Sequence, residues 1–251
     1  MDSLPKYGDA MALTATDPEL PPSGLAWAVE LPRALVGLAE LGLSLPSLGQ
    51  LPKGDGRPVL VMPGLINSDA SNLVLRQLLT RLGYHALPWK LGRNFGPRTI
   101  GRDAERLIAR IEAVHAASGE KVTLIGISLG GIMARIAAHR RPDLVREVIT
   151  ISSPFAGSAR ATNVWRAYEL VSGERIETPS ARAWMAEAAR PLPMPSTAIW
   201  SRSDGLVNGL NCRDDNGRAI EVRSSHLWVQ MRRDVLRAVA EILAGEPRGS
   251  P

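Results

Sequence analysis

One serine in the chain has a glycine two positions before it and another two positions after it. Ser128 lies in the sequence Gly126-Ile127-Ser128-Leu129-Gly130. Glycines at these positions allow a sharp turn between a strand and a helix, so that the serine side chain projects. A projecting hydroxyl becomes a nucleophile when a histidine accepts its proton and a carboxylate orients that histidine. The spacing therefore indicates acyl transfer through an activated serine.

The histidine is selected by its position in the chain. Among the four histidines, His85 lies in or near a predicted strand, and His115 and His139 lie late in predicted helices. His226 follows a strand pattern and precedes an amphipathic helix pattern close to the C-terminus. Because the chain order serine, acid, histidine places the base on such a connection, we predict His226 as the general base.

The acid is expected on a loop between the serine and the histidine. Asp204 directly follows the apolar run 197–200 and fits this position. Asp214 and Asp215 are the alternatives, but they lie in a stretch rich in glycine and asparagine, where we expect them to be solvated. We therefore predict Asp204 as the carboxylate that orients the histidine.

Two backbone N–H groups are candidates for an oxyanion hole, which must stabilise the negative charge on the substrate oxygen. The amide of Leu129 begins a predicted helix, where N–H groups lack an intrahelical acceptor. The amide of Leu65 follows the first predicted strand and the turn Pro63-Gly64, where the second donor is expected. An ordinary turn that ends the strand is the alternative for Pro63-Gly64.

Strand and helix patterns alternate along most of the chain. Apolar runs predict strands at 58–62, 84–89, 121–125, 148–151, 197–200 and 219–222. Apolar residues at helical spacing predict helices at 70–82, 98–117, 129–140 and 231–243. This alternation predicts an α/β fold with a mostly parallel central sheet flanked by helices. Ligands of such sheets bind beyond the carboxyl ends of the strands, where Ser128 and Asp204 are predicted to lie.

Residues 157–195 interrupt the alternation with several prolines, aromatic residues and methionines. We expect a small helical cap insertion over the edge of the sheet. The same aromatic residues and methionines would serve equally well to line a pocket or to bury the insertion against the body of the protein. The predicted pocket comprises Phe155, Trp165, Tyr168, Trp184 and Met185.

The chain of 251 residues is long enough for one large domain. We expect an N-terminal extension with an apolar helical segment at 1–52, the main domain at 53–246 and a tail at 247–251. Glu30, Arg33 and Glu40 interrupt the apolar stretch 24–50, which excludes an ordinary membrane-spanning helix. Packing against the protein is favoured for this stretch, and peripheral membrane contact is the alternative.

Composition narrows the classes of partner and site. The net charge is +5, but the 30 basic residues are scattered and form no nucleic-acid motif, so no nucleic-acid partner is expected. The one cysteine, Cys212, excludes an internal disulfide and a CxxC metal site. No metal site or cofactor is expected. The N-terminus lacks the pattern of a signal peptide, so we expect a cytoplasmic location, while the oligomeric state stays open.

These motifs resemble the α/β-hydrolase superfamily from about Arg57 to Leu243. More narrowly, Val61-Met62-Pro63-Gly64, Leu91-Gly92-Arg93-Asn94 and the segment from Ile151 to Gly157 resemble a group of bacterial lipase- and esterase-like hydrolases. The resemblance implies an α/β-hydrolase fold and a Ser-Asp-His triad of Ser128, Asp204 and His226.

The oxyanion loop departs from the usual family pattern, because Pro63-Gly64 stands where His-Gly is usual. Some lipase-like relatives share this variant, which favours a lipid-like substrate or another lipophilic ester. Hydrolysis of such an ester is the function we expect. An acyltransferase that uses the same triad and a non-catalytic binding protein on the same fold are the alternatives.

Overall fold

The computed structural model describes residue 14 and residues 17–245, apart from the side chains of Leu45 and Pro46. The predicted tail at 247–251 lies outside this range, as does most of the chain before residue 17. Within the described range, one parallel sheet contains six strands: β1 (Pro58–Met62), β2 (His85–Pro88), β3 (Val122–Ile127), β4 (Val145–Ile151), β5 (Ser196–Trp200) and β6 (Arg218–Glu221). The predicted α/β fold with a parallel central sheet flanked by helices is confirmed.

The helices of the described range are α1 (Gly24–Ala28), α2 (Glu30–Leu48), α3 (Leu73–Leu82), α4 (Pro97–Ile100), α5 (Glu105–Ser118), α6 (Leu129–Arg140), α7 (Trp165–Ser172), α8 (Pro179–Ala189) and α9 (Arg233–Leu243). The prediction of one continuous helix at 98–117 is wrong. Gly101 and Ala104 have positive φ angles of 91° and 55°, so the backbone leaves the helical conformation between α4 and α5.

The sheet is covered on both faces, because successive side chains of a strand point to opposite sides. Val59 and Val61 of β1 belong to the apolar layer formed with α2, α3 and α9. Leu60 and Met62 belong to the layer formed with α5 and α6. Every residue of β1 and β3 is buried, which explains why apolar residues dominate both strands in the sequence.

The order of the strands is β2-β1-β3-β4-β5-β6. After β1 the chain passes to β2 on one side, and after β2 it crosses back to β3 on the other side of β1. The loops that follow β1 and β3 therefore diverge and leave a crevice at the carboxyl edge of the sheet. Such a reversal of strand order is the usual ligand-binding position in sheets of this type.

The N-terminal helices pack on the body of the protein by one face only. Ala34, Leu41 and Leu48 of α2 are buried, and this helix packs against α9. The opposite face leaves large apolar side chains exposed at Leu25, Trp27, Leu31, Leu35, Val36 and Leu43. No helix of residues 17–245 is both long enough and apolar enough to span a membrane. Peripheral membrane contact through residues 24–50 stays a prediction.

The segment 157–195 contributes two helices, α7 and α8, between β4 and β5. Helix α8 packs against α6, and a buried arginine of α6 fixes its end. Arg135 donates hydrogen bonds to the carbonyl oxygens of Ala188 and Arg190 and to the carboxylate of Asp214, at 2.7 Å for the last. The expectation that Asp214 is solvated is therefore wrong, since this aspartate is buried in an ion pair.

Candidate active site

Ser128 occupies the turn between β3 and α6 with φ 50° and ψ −121°. Two glycines permit this turn by close approach of the backbone. A Cβ atom on Gly126 would lie 2.4 Å from backbone atoms of Gly130 and Gly131, and one on Gly130 would lie 2.7 Å from the carbonyl oxygen of Met62. Any larger residue at either position would push β3, α6 and β1 apart, so the glycines hold the serine at the crevice.

The structure brings the three predicted catalytic residues together. Nε2 of His226 lies 3.1 Å from Oγ of Ser128, and Nδ1 lies 2.7 Å from Oδ2 of Asp204. The other carboxylate oxygen of Asp204 accepts hydrogen bonds from the amides of Leu206 and Val207, each at 3.0 Å. Because Asp204 is almost completely buried, these bonds fix its orientation toward the imidazole.

The surroundings of His226 favour its protonated form. Burial by itself lowers the pKa of the imidazole, but the charge of Asp204, its hydrogen bond and the charge of Glu30 outweigh burial. The pKa of His226 therefore lies above its ordinary value. This arrangement suits a base that must take a proton from a hydroxyl and keep it while the negative charge on the substrate persists.

The two predicted oxyanion donors lie beside the serine. Leu65 and Leu129 line the same cavity as Ser128, and a Cβ atom on Gly64 would lie 3.3 Å from Cβ of Ser128. Among the described residues, no acceptor takes a hydrogen bond from the amide of Leu65 or Leu129. Both N–H groups are therefore available to a ligand.

A cavity of about 110 Å³ opens at Ser128, and its lining is mostly apolar. Four of the five predicted pocket residues line it, namely Trp165, Tyr168, Trp184 and Met185. Phe155 does not. Its ring is buried below the guanidinium of Arg135, with 3.9 Å between the guanidinium carbon and the ring centroid. Phe155 therefore belongs to the packing of Arg135 rather than to the wall beside the serine.

Sequence comparisons find similarity to hydrolases over part of the chain. A family model described as "alpha/beta hydrolase fold" matches residues 92–176. A triacylglycerol lipase of Vibrio cholerae is 33% identical over 115 residues, which cover 41% of this chain and 34% of the lipase. A triacylglycerol lipase of Pseudarthrobacter phenanthrenivorans is 45% identical over 64 residues, 25% of this chain and 19% of that lipase. The chain thus spans about a third or less of the curated relatives it matches.

Solved structures match over most of the chain. The mature lipase of Bacillus licheniformis superposes with a TM-score of 0.55 at 16% identity, covering 77% of this chain and 94% of that one. The chain has the α/β-hydrolase fold. A monoacylglycerol lipase of Paleococcus ferrophilus gives the same TM-score at 18% identity and covers 77% and 96% of the two chains. The resemblance to lipase- and esterase-like α/β hydrolases expected from the motifs is confirmed.

A buried asparagine holds the loop that carries Leu65, a predicted oxyanion donor. Nδ2 of Asn94 donates a hydrogen bond to the carbonyl oxygen of Pro63 at 2.7 Å, and the backbone carbonyl oxygen of Asn94 accepts one from the amide of Ile66 at 2.7 Å. Asn94 is fully buried. The sequence drew attention to Leu91-Gly92-Arg93-Asn94 only through the family resemblance. The hydrogen bonds explain why an amide side chain is useful there.

Two charged residues of α2 also reach the site, where the sequence predicts no role for them. Glu30 is 2% exposed and contacts the loops that carry the acid and the base. Arg33 donates hydrogen bonds to the carbonyl oxygens of Ser203 and Ser224. Burial, and then repulsion by Asp204, raise the pKa of Glu30. The available signal was a pair of charges inside an apolar segment.

No group of three or more histidine, cysteine, aspartate or glutamate side chains in the described part of the chain is arranged to hold a metal ion.

Proposed function

We propose that this protein is a serine hydrolase that cleaves carboxylic esters with a lipophilic acyl part. The observation that carries the proposal is the continuous hydrogen-bonded chain from Asp204 through His226 to Ser128 at the mouth of an apolar cavity. The names of the curated relatives, triacylglycerol lipases, support ester chemistry for this arrangement.

Acylation begins with attack of Oγ of Ser128 on the ester carbonyl carbon. Nε2 of His226 takes the hydroxyl proton, while Asp204 holds the Nδ1–H tautomer and stabilises the imidazolium. The amides of Leu65 and Leu129 donate hydrogen bonds to the oxyanion. The tetrahedral intermediate then collapses. The bond to the alcohol oxygen breaks, and His226 donates its proton to the leaving alcohol.

Deacylation repeats these steps with water as the nucleophile. His226 takes a proton from the water molecule, whose oxygen attacks the acyl carbon of the Ser128 ester. The second intermediate collapses as the bond to Oγ breaks, and His226 returns the proton to Oγ. The products are one carboxylic acid and the free enzyme.

The cavity supports a preference for one short or medium acyl chain. Its volume of about 110 Å³ is smaller than that of typical small-molecule sites, which span roughly 300–1,000 Å³. Apolar walls favour an alkyl chain, because its transfer from water contributes about 0.8 kcal/mol per buried CH₂ group. A panel of p-nitrophenyl esters of graded acyl length measures this preference, and we expect kcat/KM to fall for long chains.

The decisive experiment replaces the serine. We expect Ser128→Ala to lower kcat on p-nitrophenyl butyrate by about 10,000-fold or more, because loss of the nucleophile removes the acyl-enzyme route. Labelling by a fluorophosphonate probe should also disappear. Ser118→Ala, at the end of α5, is the matched control and should keep both properties. Full esterase activity of Ser128→Ala would overturn the proposal.

A further inference from the structure

The carboxylate of Glu30 joins the two loops that carry the acid and the base. Oε1 accepts a hydrogen bond from the amide of Gly205 at 2.7 Å, directly after Asp204. Oε2 accepts from the amide of His226 at 2.7 Å and from the amide of Leu227 at 3.0 Å. Each oxygen therefore holds one loop, and the rigid carboxylate group fixes the spacing between them.

Simple packing of α2 does not explain a carboxylate at this position. A buried charge is costly unless it is paired and hydrogen-bonded, and an apolar side chain would pack the helix at lower cost. Three amide donors hydrogen-bond the carboxylate of Glu30, and Nη1 of Arg33 lies 3.9 Å away. The amide donors favour the charged form and offset part of the effect of burial, which raises the pKa of Glu30. The hydrogen bonds of Glu30 therefore go to the loops of the site and not to the packing of α2.

We infer that Glu30 is a positioning residue that holds the loops of Asp204 and His226 in register and adds negative charge that stabilises the imidazolium. The inference rests on the proposed function, since it assigns a part in the same reaction. Glu30 touches neither substrate nor the reacting atoms. It acts through the backbone of His226 and through its charge.

Glu30→Gln tests the positioning part. In either orientation of the glutamine, its NH₂ group faces a backbone N–H, so one of the two loops loses its acceptor. We expect kcat to fall about 10- to 100-fold, the size of effect that misplaced catalytic groups produce, while KM changes by less than about threefold. Glu40→Gln is the matched control on the same helix, because the half-exposed Glu40 pairs with Arg232 and touches neither loop.

The acid limb of the pH profile of kcat/KM tests whether the charge of Glu30 stabilises the imidazolium of His226. The charged groups that face Glu30 are Arg33 on its own helix, Asp204 after β5 and His226 after β6. Removing the negative charge of Glu30 leaves the positive charge of Arg33 nearby, and both effects disfavour the imidazolium. We therefore expect the acid limb of Glu30→Gln to move to lower pH, with no movement in Glu40→Gln.

A wild-type kcat in Glu30→Gln, or a lower kcat with an unmoved acid limb, overturns the inference. If circular dichroism shows that Glu30→Gln does not fold, Glu30→Asp replaces it, because aspartate keeps the charge but is one methylene shorter. A lower kcat with a wild-type acid limb then supports the inference, and a wild-type kcat overturns it.

Ser128→Ala separates the two proposals. If Ser128→Ala is inactive and Glu30→Gln has the same kcat and acid limb as Glu40→Gln, only the role of Glu30 is overturned and the proposed function stands.

Discussion

The N-terminal helices and the segment 157–195 both lie outside the alternating strands, and they reach the same site by different chemistry. Helix α2 contacts the backbone of the loops that carry Asp204 and His226 through Glu30 and Arg33. The segment 157–195 contributes apolar and aromatic side chains to the cavity. We propose that α2 sets how fast the site reacts, whereas the segment 157–195 selects the acyl group that enters.

The two regions are also anchored differently. Helix α2 is held by an apolar face against α9 in addition to its polar contacts. The segment 157–195 packs apolar side chains of α8 against α6, and Arg135 of α6, which is 1% exposed, donates hydrogen bonds to the carbonyl oxygens of Ala188 and Arg190. The buried ion pair between Arg135 and Asp214 therefore supports the end of α8.

The largest effect is expected at this ion pair. Asp214→Asn should lower the free energy of unfolding by about 3–5 kcal/mol, because it leaves the buried guanidinium of Arg135 unpaired. Urea denaturation measures the change. Glu187→Gln is the matched control, since Glu187 also pairs with an arginine of α6 but is partly exposed. It should cost about 1 kcal/mol or less. Equal losses of unfolding free energy in the two variants would show that the buried pair of Arg135 and Asp214 stabilises the protein no more than the partly exposed pair.

The same ion pair should weaken in acid. Burial by itself raises the pKa of Asp214, but hydrogen bonds from Arg135 and Ser196 outweigh burial and hold it below the ordinary value of 3.8. The ionised form is therefore favoured in the folded state. Its contribution to stability is complete above the ordinary pKa and is lost as the pH falls below about 3.8 through the depressed value. The stability difference between wild type and Asp214→Asn should shrink over that range.

A smaller effect is expected in the wall of the cavity. Trp165→Ala should lower the ratio of kcat/KM for the octanoate p-nitrophenyl ester to that for the acetate ester by about 10- to 150-fold, because this wall binds only the longer chain. The kcat for the acetate ester should stay within about threefold. Leu170→Ala is the control, since Leu170 lies on the same helix but is 83% exposed. A loss of kcat for both esters in Trp165→Ala would contradict the proposal that the segment 157–195 affects only the choice of acyl group.

The smallest effect is expected at Arg33. This residue contacts Ser203 and Ser224, which lie near the predicted catalytic residues Asp204 and His226 in the chain. Arg33→Met should lower kcat on the acetate ester by about tenfold, with the ratio of octanoate to acetate unchanged. A shifted ratio would show that α2 also selects the substrate, which contradicts the division of roles.

The strands were predictable because burial on both faces leaves a local signal. Every residue of β1 and β3 is buried, so the predicted apolar runs overlap these strands closely. The break between α4 and α5 was not predictable, since Ile100 and Ala104 are both buried and keep the helical spacing of apolar residues across it. Periodicity reports which side of a segment faces the core and not whether the helix is continuous.

The positions of the serine, acid and histidine followed from their order and from their places after strands. The supporting residues did not, because their contacts join distant parts of the chain. Glu30 meets Gly205 and His226 across 175 and 196 residues, and Arg135 meets Asp214 across 79. A local pattern of glycine and asparagine therefore suggested a solvated Asp214, whereas a tertiary ion pair decides its environment.

The turn at Ser128 has a consequence for the stability of the whole protein. Its positive φ of 50° lies where a non-glycine residue costs about 1–3 kcal/mol. Domains of this kind have a total stability of only about 5–15 kcal/mol. The residue to which we assign the chemistry thus works against folding, and the buried contacts of β3 and α6 on either side of it must offset that cost. At this position the conformation that exposes the hydroxyl lowers the stability of the fold.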